Sequence, residues 1–113
     1  MKKHNINDFL EFNEEGFTKR VIFKEDKTTV FILNFKPGQS LPAHKHPGSN
    51  VQLIVLEGEG NFTIDGEEVG VTQKDTLFVT GEEVLAFSNS GTENVSLYVM
   101  LNKIPDERYA ENI

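Results

Sequence analysis

With 113 residues and 12.7 kDa, the chain has material for one small domain, which buries roughly two-thirds of the surface its unfolded form exposes. Eleven Lys plus Arg against eighteen Asp plus Glu leave a formal charge of −7 and a pI near 4.9, which argues against a phosphate-neutralising surface and so against nucleic acid as a partner. Apolar runs such as Leu53 to Leu56 fall far short of a membrane span, polar residues follow Lys2 and Lys3 where a signal segment would be apolar, and the lack of cysteine removes disulfides and thiolate ligands; the expectation is a cytoplasmic protein with no membrane partner.

The first sixteen residues read as an arm, in which Asn7 is expected to cap one short helical turn whose Phe9, Leu10 and Phe12 form an apolar stripe. Thr18 to Lys24 and Thr28 to Phe35 are β-branched, Phe-rich runs joined by the polar Glu25-Asp26-Lys27, and they predict a hairpin. After the break at Lys36-Pro37-Gly38 come a short extended piece from Ala43 to His46 and an apolar run from Gln52 to Glu57. Asn61 to Ile64 and Glu67 to Val71 flank Asp65-Gly66, a dipeptide that accepts the positive φ of a tight hairpin turn. Asp75 to Thr80, Val84 to Ser88 and Val95 to Leu101 complete about nine short strands, the pattern of an all-β sandwich or small barrel over residues 17–104. Residues 105–113 form a polar tail expected to lie along the surface or on a neighbour.

Two strands are apolar on both faces: Leu53 and Val55 alternate with Ile54 and Leu56, and Leu97, Val99 and Leu101 with Tyr98 and Met100. A barrel interior covers one face of each, so either the arm or a second subunit covers the other, and a homodimer is the economical expectation.

Two of the three histidines form His44-Lys45-His46. Residues two apart on an extended segment face the same way, so both imidazoles can converge on one point, as a metal site requires. Equally, both can be neutral and hydrogen-bonded at the mouth of an apolar cavity. Arg20 would bind a substrate carboxylate if it faced inward, but a surface position is expected. Glu57-Gly58-Glu59-Gly60 lacks phosphate-binding spacing and carries two carboxylates that would repel phosphate, so it reads as a strand-ending turn.

The stretch from Pro37 to Gly48, followed by Val55-Leu56-Glu57-Gly58-Glu59-Gly60, resembles the first motif of the cupin superfamily, with Gly38, His44, His46 and Gly58 in place. The segment from Asp75 through Thr80 to Glu83 and on to Asn89 resembles the shorter second motif. The resemblance implies a small cupin-type double-stranded β-helix, or jelly-roll barrel. It also implies a metal held by two histidines and a glutamate of the first motif and a histidine of the second. Here the glutamate position, with four residues between it and His46 and six between it and Gly58, falls on Val51, and the second-motif histidine falls on Leu85. The Pro and Gly of the family's second turn are replaced by Thr80 and Glu82.

Gln52 is the nearest substitute for the missing glutamate. A one-residue bulge would turn its amide oxygen inward and give a metal set of His44, His46 and Gln52; without the bulge, alternation points Val51, Leu53 and Val55 inward and Gln52 outward. The implied cofactor is one divalent transition ion (Zn, Mn, Fe or Ni), weakly bound or absent, because tight sites need at least three protein ligands. The same inward register gives a ligand-binding set of His44, His46, Leu53, Val55, Leu85, Phe87 and Asn89, mainly apolar with a few polar groups, unless those side chains simply fill the barrel. Three functions follow: a domain binding a small molecule in its barrel, a metal-dependent dioxygenase or isomerase acting on a small organic substrate, or a dimeric scaffold or sensor.

Overall fold

The β-branched and aromatic runs become nine strands in a computed structural model that describes residues 1–104. They are β1 (Thr18–Glu25), β2 (Thr28–Phe35), β3 (Ser40–His44), β4 (Ser49–Glu57), β5 (Gly60–Ile64), β6 (Glu67–Val71), β7 (Thr76–Val79), β8 (Leu85–Ser88) and β9 (Val95–Lys103). They form two antiparallel sheets, one in the order β1-β2-β9-β4-β7 and the other β3-β8-β5-β6. The result is the two-sheet jelly-roll barrel expected from the sequence. Among the described residues no helix is long and apolar enough to cross a membrane. The expected tail, 105–113, lies outside the described residues.

The β5–β6 turn follows from its two residues: Asp65 has φ 49° and Gly66 φ 84°, the paired left-handed conformation whose twist matches that of the flanking strands. Side chains alternate along β2, β4 and β9, so Phe31, Leu33 and Phe35, Val51, Leu53 and Val55, and Leu97 and Val99 point between the sheets and are buried. Phe87 of β8 closes one end of this core, its ring 4.9 Å from Phe35 and 4.7 Å from Phe62 between ring centroids.

The opposite faces of the same strands are apolar too, and the arm covers part of them. Phe9 and Leu10 pack with Phe23, Leu56, Tyr98 and Met100 on a second cluster centred on Ile22, Val30 and Ile32. The arm is fastened by Asn34, whose side-chain amide donates to the carbonyl of Phe9 at 2.9 Å and to the hydroxyl of Thr18 at 3.2 Å. The helical turn in the arm is a single 3₁₀ turn, Ile6–Phe9. Its cap is Asn5, not Asn7: the Asn5 side-chain oxygen accepts from the main-chain N–H of Asn7 at 2.9 Å. Beyond the arm, Ile54 and Phe78 on the outer face remain exposed, Phe78 at 58%.

Two details of register bear on the site. The third strand ends at His44, so His46 lies in the following loop instead of on the same strand. In β4 the pairing with β9 slips between Val55 and Glu57, not beside Gln52.

Candidate functional site

His44 stands at the end of β3 opposite Leu85 of β8. Its Nδ1 lies 2.7 Å from the carbonyl oxygen of Pro42. In the neutral ring that nitrogen carries the proton and donates, which leaves Nε2 as an acceptor. His46 is placed through its backbone: its N–H donates to the Gly81 carbonyl at 3.1 Å, and its own carbonyl accepts from Ser49 at 3.0 Å. This loop sits directly on Gly81, where a Cβ would come within 2.2 Å of the His46 carbonyl oxygen and 2.3 Å of that of Ser49. Glycine is therefore required at position 81 by close approach. The two imidazoles meet edge to face with centroids 4.5 Å apart. Burial, then the nearby charges of His44 and Lys19, hold the His46 imidazole below the ordinary histidine range, so it is neutral at neutral pH.

Between the sheets behind this pair is a cavity of about 210 Å³. Its walls include Phe31, Leu33, Val51, Leu53, Phe62 and Leu85, and its ionisable lining groups are Lys19, His44 and His46. The half-buried histidines and the exposed Lys19 mark the open side, while Val51 and Phe62 are fully buried at depth. Lys19 extends its ammonium over the Phe31 ring, 4.5 Å from the centroid, in a cation–π contact.

Four of the seven residues in the expected ligand-binding set, His44, His46, Leu53 and Leu85, line the cavity together. The others lie elsewhere. Gln52 is exposed on the outer face, paired with Phe78 and Met100, because β4 has no bulge near it and the alternation holds. It does not join the histidines. Val55 is buried in the core beyond the cavity lining, and Phe87 fills the closed end between Phe35 and Phe62. Asn89 is a structural tie: its side-chain nitrogen donates to the carbonyls of Phe35 and Glu93 at 3.2 and 2.9 Å, and its side-chain oxygen accepts from Gly91 at 3.1 Å. Arg20 faces the arm, 3.6 Å from the Glu11 carboxylate and above the Phe9 ring.

Lys19 is the site residue that the sequence reading missed. It pairs with Leu33 in the β1–β2 ladder and so shares that residue's inward face, whereas Arg20 pairs with Ile32 and shares the outward one.

The donor set does not fit a firmly held transition metal. Among the described residues no group of three or more His, Cys, Asp and Glu side chains is placed to hold an ion. Apolar Val51 and Leu85 occupy the positions where the family resemblance calls for ligands, and the other ionisable group on the cavity wall is the Lys19 cation, which repels a metal ion.

Comparisons with known proteins agree with this architecture. A family model described as the cupin domain matches residues 31–101. The tetracenomycin polyketide synthase protein TcmJ of Streptomyces glaucescens is 34% identical over 59 residues, 52% of this chain and 40% of that protein. An oxalate-binding protein of Thermotoga maritima is 27% identical over 77 residues, 67% of this chain and 64% of that protein. In both cases the match covers less than two-thirds of the relative's length. The crystal structure of TT1209 from Thermus thermophilus superimposes with a TM-score of 0.86 at 22% identity, covering 93% of this chain and all of that one. With its two-sheet barrel, its His44 and His46 pair and a family match across most of the barrel, the chain belongs to the cupin domain family.

Proposed function

We propose that this cupin domain binds a small organic molecule in the cavity between its sheets, with His44 and His46 as polar anchors at the opening. The observation that carries the reading is the cavity itself: about 210 Å³ with an almost wholly apolar wall and its polar groups gathered on one side, the usual make-up of a small-ligand site. The relative named as an oxalate-binding protein supports a small-molecule role. Two imidazoles without a carboxylate would hold a divalent ion only weakly, so the reading places recognition in the protein's own side chains.

The test is a thermal-shift screen of small organic compounds against the wild type and Val99→Phe, which fills the cavity from the middle of β9. A ligand at about a hundred times its Kd stabilises by about 2.7 kcal/mol, a shift of several degrees in a domain of this size. The expected result is stabilisation of the wild type and none of the variant. Equal shifts for both proteins would place binding outside the cavity.

We propose also that two copies pair through the outer face of the five-stranded sheet. Phe78 is 58% exposed and Ile54 42%, on the neighbouring strands β7 and β4 at the border of the arm-covered cluster. Sedimentation equilibrium should give a dimer for the wild type and a monomer for Phe78→Glu; a monomeric wild type at micromolar concentration overturns the pairing.

A further inference from the structure

The ionisable side chains on the cavity wall are all bases: Lys19 from β1, His44 from β3 and His46 from the loop after it. Among the described residues no carboxylate lines the cavity, in a chain whose formal charge is −7. The bases come from both sheets, so the barrel closure itself brings them together.

Three of the cations around the arm have carboxylate partners. Lys2 pairs with Glu25, Arg20 with Glu11 and Lys36 with Glu14. Among the described residues Lys19 has no acidic partner, and its ammonium rests on the Phe31 ring at the edge of the apolar cavity. A cation held beside an apolar space attracts an anion more strongly than one in open water, because the effective dielectric there is lower.

We infer that the cavity selects small monocarboxylates with a compact apolar body, such as one aromatic ring or a short branched chain, and that Lys19 is the residue that binds the carboxylate. The inference rests on the small-molecule reading above and names its ligand class.

Three considerations fix that class. The first is size. An apolar cavity of about 150 Å³ accepts benzene and drug-sized ligands need about 300 Å³ or more, so about 210 Å³ suits one ring and a head group. The second is charge: one ammonium and two imidazoles match a single negative charge, whereas a phosphate dianion calls for arginine forks or a nest of backbone N–H groups. The third is polarity at each base. In its neutral form His44 gives its N–H to the Pro42 carbonyl and presents a bare Nε2, which accepts from a hydroxyl but repels a carboxylate, so the carboxylate goes to Lys19.

The experiment is titration calorimetry in chelator-containing buffer with benzoate, its neutral isostere benzamide, and oxalate, on the wild type, Lys19→Met, Lys19→Arg and Val99→Phe. Benzoate should bind the wild type better than benzamide or oxalate. Lys19→Met should weaken benzoate by about ten- to a hundredfold while leaving benzamide unchanged, and Lys19→Arg should restore most of the loss. Melting temperatures of the position 19 variants close to that of the wild type show that the loss is not unfolding. If benzoate and benzamide bind alike and Lys19→Met changes neither, the charge assignment is wrong while the cavity reading stands. Oxalate binding as tightly as benzoate would overturn the apolar-body assignment. If no probe binds, or Val99→Phe leaves binding intact, the cavity reading fails and this inference falls with it.

Discussion

Ser96 donates its hydroxyl to the side-chain oxygen of Asn34 at 2.7 Å, and both side chains are fully buried. The nitrogen of the same amide donates to the Phe9 carbonyl and to the Thr18 hydroxyl, so one asparagine ties β9 and β1 to the arm. A buried amide with every group engaged is worth far more than its net hydrogen-bond energy once a partner is removed. Replacing Asn34 with Leu, of similar volume, leaves the Ser96 hydroxyl and the Phe9 carbonyl without these bonds. The expected cost is about 1–3 kcal/mol in urea unfolding. Hydrogen exchange should also show the amides around Leu10 opening faster than those of β9. Exchange at Leu10 unchanged from the wild type would mean that apolar contacts alone hold the arm.

Gly81 and Gly16 make a matched pair. A methyl group at 81 meets two backbone oxygens that cannot move independently, whereas at 16 it meets nothing within 4 Å. Gly81→Ala should cost about 1–3 kcal/mol and shift the His46 ring resonances, because the loop must rise off the turn. Gly16→Ala should stay within about 0.5 kcal/mol of the wild type. Calorimetric melting of the two variants and a proton–nitrogen spectrum of the imidazoles check both statements.

His46 should titrate below the ordinary imidazole value of 6.5, with burial as the main cause and the charges of His44 and Lys19 adding to it. Removing one of those charges relieves the repulsion, so Lys19→Met should raise the His46 pKa. The folded state prefers the neutral ring, so the stability linked to this group is fully present above the unfolded pKa near 6.5 and is lost as pH falls through the lower folded value. NMR titration of the His46 ring protons in both proteins tests the direction. A pKa at or above 6.5 in the wild type would contradict it.

Leu85 is the cross-strand partner of His44, and Val51 lies on the same cavity wall. The pair Val51→Glu and Leu85→His should therefore bring two further donors to the histidine pair. Four-ligand zinc sites are worth about 10–16 kcal/mol, or about 3 kcal/mol per ligand, so the double variant should bind zinc up to about a hundredfold tighter for each donor that reaches the ion. Competition titration with a chromogenic chelator measures it. No gain in the double variant would show that the two positions do not converge on the histidines.

Much of the architecture is legible in the residues themselves. Asp65-Gly66 specifies its turn because few other dipeptides tolerate two positive φ values in succession. The inward positions of Leu53 and Leu85 follow from alternation within short apolar strands. Lys19 is the opposite case: it sits beside Arg20 on a strand of mixed character, and which of the two faces inward is decided by pairing to β2, a long-range fact that no local pattern carries. The second-motif resemblance located Asn89 correctly in sequence but not in role, since its amide is consumed by main-chain partners and never reaches the cavity. The close approach at Gly81 was equally hidden, because the loop that presses on it comes from a segment more than thirty residues earlier.

The ninth strand, the last among the described residues, lies in the middle of the five-stranded sheet, between β2 and β4. During synthesis, β2 and β4 therefore leave the ribosome well before the strand that joins them, and each carries an unsatisfied edge rich in Phe, Ile, Leu and Val. Completion of the sheet waits for residues 95–103, and such non-local pairing is slow. Interrupted translation before residue 95 would yield a fragment with two apolar edges exposed, prone to join other chains instead of its own missing strand.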